Sequence, residues 1–181
     1  MIDIQQIIEH FYPDDNALRQ LLLKHSRQVA DRCLAIAGRH PDLPVDVQFL
    51  EEAAMLHDIG ICRCHAPSIC CEGTEPYIRH GVLGAEMLRS LPIPLERHAR
   101  VCERHTGTGL TREQIERQQL PLPHEDFIPE SLEEELVCYA DKFYSKSSPD
   151  RVRTVLETAR SLEKFGHEGV VKFLSWANRF E

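Results

Sequence analysis

The sequence predicts an all-α fold. Three observations carry that prediction. Apolar residues recur at three- and four-residue spacing through most of the 181 residues, the pattern of helices that bury one face. Helix-opening signals, two capping boxes among them, stand just ahead of those runs. No stretch shows the strict apolar and polar alternation of a half-buried strand. With 42% apolar residues over this length, the chain reads as one domain, 1–181, with a real core.

The elements follow in order. "NALRQLLLKHSRQVADRCLAIAG" places Leu18, Leu22, His25, Val29, Cys33 and Ile36 on one stripe. Asp14 or Asp15 can cap its start, and Gly38 fits its end. The next helix is expected from Asp46, with Val47, Leu50, Ala53, Ala54 and His57 inward and a stop near Gly60. Residues 61–79, broken by Pro67, Gly73 and Pro76, are expected to form a long loop of the kind that covers a site. "HGVLGAEMLRSL" reads as a short helix from about His80. "PLERHARVCERH" reads as another, with Leu95, His98, Cys102 and His105 on one face. Thr111 to Gln114 and Ser131 to Glu134 are the capping boxes. The second opens a helix whose inward face carries Val137, Ala140, Asp141 and Tyr144. Two amphipathic helices, near 150–163 and 167–179, close the chain, packed on the core or at an interface with another subunit.

Six polar residues lie on or beside these apolar faces: His25, His57, Asp58, His80, His105 and Asp141. One such residue is commonly a satisfied core histidine or a helix-end hydrogen bond. Burying charged carboxylates without partners is costly. Four imidazoles and two carboxylates together make the mixed nitrogen and oxygen set that borderline divalent metals prefer. His98 reads as core or supporting, and His10, His40, His65, His124 and His167 as loop or surface residues.

"KHSRQVADRCLAIA", "MLHDIG" and "CYADKF" resemble, in that order, the motif-bearing segments of the HD-domain metal-dependent phosphohydrolase superfamily. The resemblance runs from about residue 18 to about 147. The segment from Arg104 to Lys142, which opens "RHTGTGL", is similar to a small HDIG-type group of archaeal and bacterial proteins. Its start is also like an element of the HD family that splits diadenosine tetraphosphate symmetrically. The resemblance implies an HD-domain helical bundle with a metal centre between helices. It implies one ion on His25, His57, Asp58 and Asp141, and a second on His80 and His105 with Asp58 bridging. Two ions about 3.5–4 Å apart can make a bridging hydroxide nucleophilic near neutral pH. The implied activity is hydrolysis of a phosphoester or phosphoanhydride in a small nucleotide-like substrate. The implied cofactor is a divalent transition metal, two ions of iron, manganese or zinc. Asp58 is the candidate catalytic residue. Arg63 and Lys142 are candidates for catalysis and, with Arg79, for binding the substrate phosphate, which suits an arginine fork.

Two other classes share these residues. A di-iron HD-type oxygenase uses the same six ligands, and a nucleotide- or metal-responsive binding module needs no turnover. The formal charge of −8 argues against a general nucleic-acid coat, which requires a basic face. No apolar run approaches the ~20 residues of a membrane span. The acidic start "MIDIQQIIEHFYPDD" lacks the pattern of a signal peptide. A cytoplasmic, reduced protein is therefore expected, with Cys33, Cys102 and Cys138 as small buried hydrophobes and a homo-oligomer as an open alternative to a monomer. Cys62, Cys64, Cys70 and Cys71 offer a rival zinc site. Their gaps of one residue and none depart from the usual pairing, so they read as a flanking, redox-sensitive loop that could lid the metal site.

Overall fold

Helix α2, Ala17–Arg39, is the longest element of a computed structural model that describes residues 2–181. Asn16, and neither Asp14 nor Asp15, caps it, accepting a hydrogen bond from the Arg19 amide. The helix runs one residue past Gly38. Its buried stripe includes Leu22, His25, Val29, Cys33 and Ile36.

Three helices pack beside it. Helix α3, Val47–Leu56, starts on an Asp46 cap and ends just before His57, with Gly60 falling in a following 3-10 turn, Ile59–Arg63. Helix α7, Leu132–Asp141, opens with the Ser131/Glu134 capping box. Helix α9, His167–Phe180, lays Phe173, Trp176 and Phe180 into the core that α2, α3 and α7 share, with Phe173 stacked on Tyr139. Helix α8, Val155–Leu162, adds Ala159 and Leu162 to that core.

A second core joins α1, Ile4–Phe11, to the turn after α3 and to helices α4, His80–Arg89, and α5, Glu96–Arg104. Tyr12, just past α1, donates its hydroxyl to the Ile59 carbonyl at 2.7 Å and accepts from the Cys62 amide at 3.1 Å. That pins the turn carrying the residues beyond Asp58. Helix α6, Arg112–Arg117, starts on the Thr111/Gln114 capping box.

The long loop expected over 61–79 carries short strands. Strands β1 (Cys64–Ala66), β2 (Cys71–Glu72) and β3 (Glu75–Pro76) form a small sheet in the order β2-β1-β3. β1 pairs antiparallel with β2 and parallel with β3. Strands of two or three residues are too short to show alternation, which is why the sequence does not announce them. No described helix is long and apolar enough to cross a membrane.

Two glycines draw the site's elements together. A Cβ on Gly60 would stand 2.2 Å from the His80 carbonyl oxygen and 2.4 Å from the Gly84 nitrogen. A Cβ on Gly81 would stand 2.4 Å from the Cys102 carbonyl oxygen. Without side chains there, the turn after Asp58, the start of α4 and the end of α5 touch backbone to backbone.

Candidate metal centre

His25 projects from the middle of α2, and Asp141 is the last residue of α7. His57 and Asp58 follow the end of α3, His80 is the first residue of α4, and His105 follows α5. All six converge. His25 Nε2 lies 3.1 Å from Asp58 Oδ2 and 2.9 Å from Asp141 Oδ1. His57 Nε2 lies 3.1 and 3.6 Å from the same two atoms. On the other side of the carboxylate, His80 Nε2 and His105 Nε2 each lie 3.5 Å from Asp58 Oδ1. Donor atoms ~2.0–2.2 Å from one ion lie roughly 3–3.5 Å from one another, so both groups have the spacing to hold a divalent ion. Asp58 belongs to both, through different oxygens.

The hydrogen bonds around the imidazoles fit that role. Nδ1 of His57 donates to the Ala54 carbonyl at 2.7 Å. Nδ1 of His80 donates to the Tyr77 carbonyl at 2.7 Å, and Nδ1 of His105 to the Cys102 carbonyl at 2.6 Å. A carbonyl only accepts, so each Nδ1 carries a proton and each Nε2 faces inward, and the neutral rings of His80 and His105 present a bare lone pair there. This carbonyl hold on the far nitrogen is how metal-bound histidines are oriented. Nε2 of His80 faces Nε2 of His105 at 3.0 Å. Two lone pairs at that distance repel unless a cation lies between or beside them. His57 Nε2 and both Asp58 oxygens are buried without a hydrogen bond, and Asp58 Oδ2 is met by the Lys146 ammonium as an ion pair.

Electrostatics keep the carboxylates ionised. Burial pushes against the charge on Asp58, but Lys146 and His57 outweigh it and hold the group well below the usual range. The same balance holds for Asp141, where Lys142 is the main opposing charge. Burial and the neighbouring His105 push His80 down to about 3, leaving it neutral. Burial also lowers His105. At His57 burial is overcome by Asp58 and Asp141, which raise it to about 9.

The centre opens on a cavity of about 540 Å³ lined by His80, His105 and Asp141. Lys142 lines it too, 2.5 Å from Asp141 Oδ2 and 2.9 Å from the His105 carbonyl. Arg63 and Arg79 are not among the residues that line it. Arg63 is half exposed and pairs with Glu86. Arg79 is held by Glu75 and the Pro121 carbonyl. Sequence reasoning missed two residues. Lys146 is largely buried, its side chain 11% exposed, with Nζ 2.5 Å from Asp58 Oδ2, and Tyr77 stacks on His80 with ring centroids 4.7 Å apart. Neither stands on an apolar helical stripe, so periodicity carried no signal for them.

Among the described residues the cysteines form no group with metal-ligand spacing. No described cysteine belongs to either metal-ligand group. Cys62, Cys64 and Cys71 each lie near a carbonyl close in sequence, and Cys70 is exposed. Their segment still walls the cavity through Ala66, Ser68 and Ile69. His98 sits apart, buried 3.4 Å from Glu52.

A family model for the HD domain matches residues 22–145, the stretch that supplies all six converging residues. The chain belongs to the HD-domain family. Among curated proteins, it is 37% identical over 128 residues to an uncharacterized protein of Methanocaldococcus jannaschii, covering 70% of this chain and 68% of that one. It is 36% identical over 126 residues to a Picrophilus torridus protein named tRNA (cytidine(56)-2'-O)-methyltransferase, covering 69% of this chain and 32% of the relative. A Thermoplasma volcanium protein of the same name is 28% identical over 159 residues, 88% of this chain and 41% of that one. The HD-domain chain therefore spans less than half of either methyltransferase-named relative. No solved structure matches it.

Proposed function

We propose that this HD-domain protein is a metal-dependent phosphohydrolase that cleaves a phosphoester or phosphoanhydride in a small nucleotide-like compound. The observation that carries the reading is the pair of bare imidazole nitrogens, His80 and His105, facing each other at 3.0 Å beside a carboxylate shared with His25 and His57. A protein gains nothing in stability from such an arrangement alone. Divalent ions bound there supply Lewis acidity and bring the pKa of a water down to about 7.

The chain's own residues divide the rest of the work. His25, His57, Asp58 and Asp141 form one ligand set; Asp58, His80 and His105 form the other. Backbone carbonyls fix three of the four imidazoles, so little reorganisation is needed on binding. Lys142 and Lys146 keep the carboxylates ionised and stand beside the cavity as point charges for a phosphate. Tyr77 supports the His80 ring from behind.

The test is a phosphate-release panel of nucleotides and phosphoesters, run on manganese-loaded protein without oxygen. Turnover supports hydrolysis and excludes the oxygenase. Ligand binding without turnover across the panel assigns a binding module instead.

A further inference from the structure

The HD-domain match ends at residue 145, and Lys146 follows it directly. Two consecutive turns bend the chain back there. The Tyr144 amide bonds the Asp141 carbonyl at 3.2 Å, and the Ser148 amide bonds the Ser145 carbonyl at 3.1 Å. The bend carries the Lys146 ammonium into the centre, 2.5 Å from Asp58 Oδ2. Among the described residues, Asp58 is the one carboxylate within ion-pair distance of Lys146. Lys142 differs. Its ammonium also donates to the His105 carbonyl at 2.9 Å and keeps that partner whatever Asp141 binds.

The oxygen that Lys146 holds is the one 3.1 Å from both His25 Nε2 and His57 Nε2. It therefore belongs to the ligand set of His25, His57, Asp58 and Asp141. The other oxygen, Oδ1, faces His80 and His105, and no lysine pairs with it. A divalent ion and an ammonium on the same oxygen set like charges side by side, in a buried site where screening is weak. At His57 burial is overcome by the two carboxylates, which raise it to about 9 and so add a further positive charge to the metal-free centre. Asp58 and Asp141 are thus already answered by Lys142, Lys146 and His57 before an ion arrives.

From this we infer that Lys146 is a built-in competitor of the metal ion: it neutralises Asp58 in the metal-free protein, and the His25, His57, Asp58 and Asp141 set fills only as the ammonium gives up Oδ2. Lys146 thereby sets the affinity of that ligand set, while the set of Asp58, His80 and His105 has no such rival. Tyr77, whose ring centroid lies 6.0 Å from the ammonium, offers the released cation a second partner at the outer edge of cation–π reach. The inference rests on the metal centre and not on which reaction the centre performs.

The experiment is calorimetric titration of metal-free full-length protein with manganese, on the wild type, Lys146→Met and Lys146→Arg. Lys146→Met removes the charge and keeps most of the stem. It should bind manganese at least ~10-fold more tightly at one of the two positions. Lys146→Arg keeps a cation there and should stay close to the wild type. Repeating the Lys146→Met titration in a His80→Ala background, where the other ligand set is broken, assigns the gain to the His25 set. Metal-free Lys146→Met leaves Asp58 buried without its cation, so its folding is checked by thermal unfolding. If it does not fold without metal, manganese is loaded during purification and its loss to excess EDTA is timed, with slower loss than from the wild type expected. A lysine that served structure alone would do the opposite, because its removal would loosen the ligands and weaken binding. Unchanged or weaker manganese binding in Lys146→Met, unchanged or faster loss to EDTA, or equal tightening in Lys146→Arg overturns the competitor role and leaves the metal centre standing. Absence of manganese binding by the wild type overturns both.

Discussion

Replacing Asp58 with asparagine should abolish binding of both ions at once. Asp58 Oδ2 lies 3.1 Å from the Nε2 atoms of His25 and His57, and Oδ1 lies 3.5 Å from those of His80 and His105. One side chain therefore serves both groups, and Asp58→Asn removes the charge while keeping the shape. The metal-free variant should lose about 3–5 kcal/mol, because Lys146 is left buried without its carboxylate. Metal should widen the difference. An ion present at a hundred times its Kd stabilises the fold by about 2.7 kcal/mol, so two ions give roughly 5 kcal/mol. For a domain of this size that is a rise in Tm of about 10–20 °C. The assay is thermal unfolding with and without saturating manganese, alongside elemental analysis of dialysed samples. The wild type should show the rise and Asp58→Asn essentially none. A variant that keeps the full rise and both ions would refute the shared-carboxylate geometry.

Three further outcomes are expected. His80→Ala should leave the His25, His57 and Asp141 group able to take one ion while turnover is lost; elemental analysis showing two ions would contradict this. Gly60→Ala should destabilise by at least about 1–3 kcal/mol, the scale of overpacking, because its Cβ would stand 2.2 Å from the His80 carbonyl; unchanged urea unfolding with full metal uptake would contradict it. Burial, only partly offset by Glu52, lowers the pKa of His98. Its stabilising contribution is therefore complete above the ordinary histidine value of about 6.5 and is lost as pH falls below it toward the folded value. His98→Leu should flatten the acid limb of the stability curve over that window, and an identical limb in both proteins would contradict the assignment.

The sequence made the helical frame and the converging side chains legible for different reasons. His25 and Asp141 lie on buried helical stripes, where a polar residue stands out against its neighbours. The "HDIG" element and the ordered histidines after it carried the family resemblance. The capping boxes at Thr111 and Ser131 announced α6 and α7 as they occur. The sheet at residues 64–76 was hidden because its strands are too short for a period. Arg63 reads as a phosphate ligand from its nearness to Asp58 in sequence; in the fold it closes a 3-10 turn and pairs with Glu86. Lys146 was overlooked because it follows the helix that carries Asp141 and returns to Asp58, 88 positions earlier, through a contact that only the folded chain creates.

The most direct test is anomalous diffraction from crystals soaked in manganese. Two peaks are predicted, one bounded by His25, His57, Asp58 and Asp141 and the other by Asp58, His80 and His105. Crystals that keep these side chains in place but show no peak at either position would contradict the metal centre.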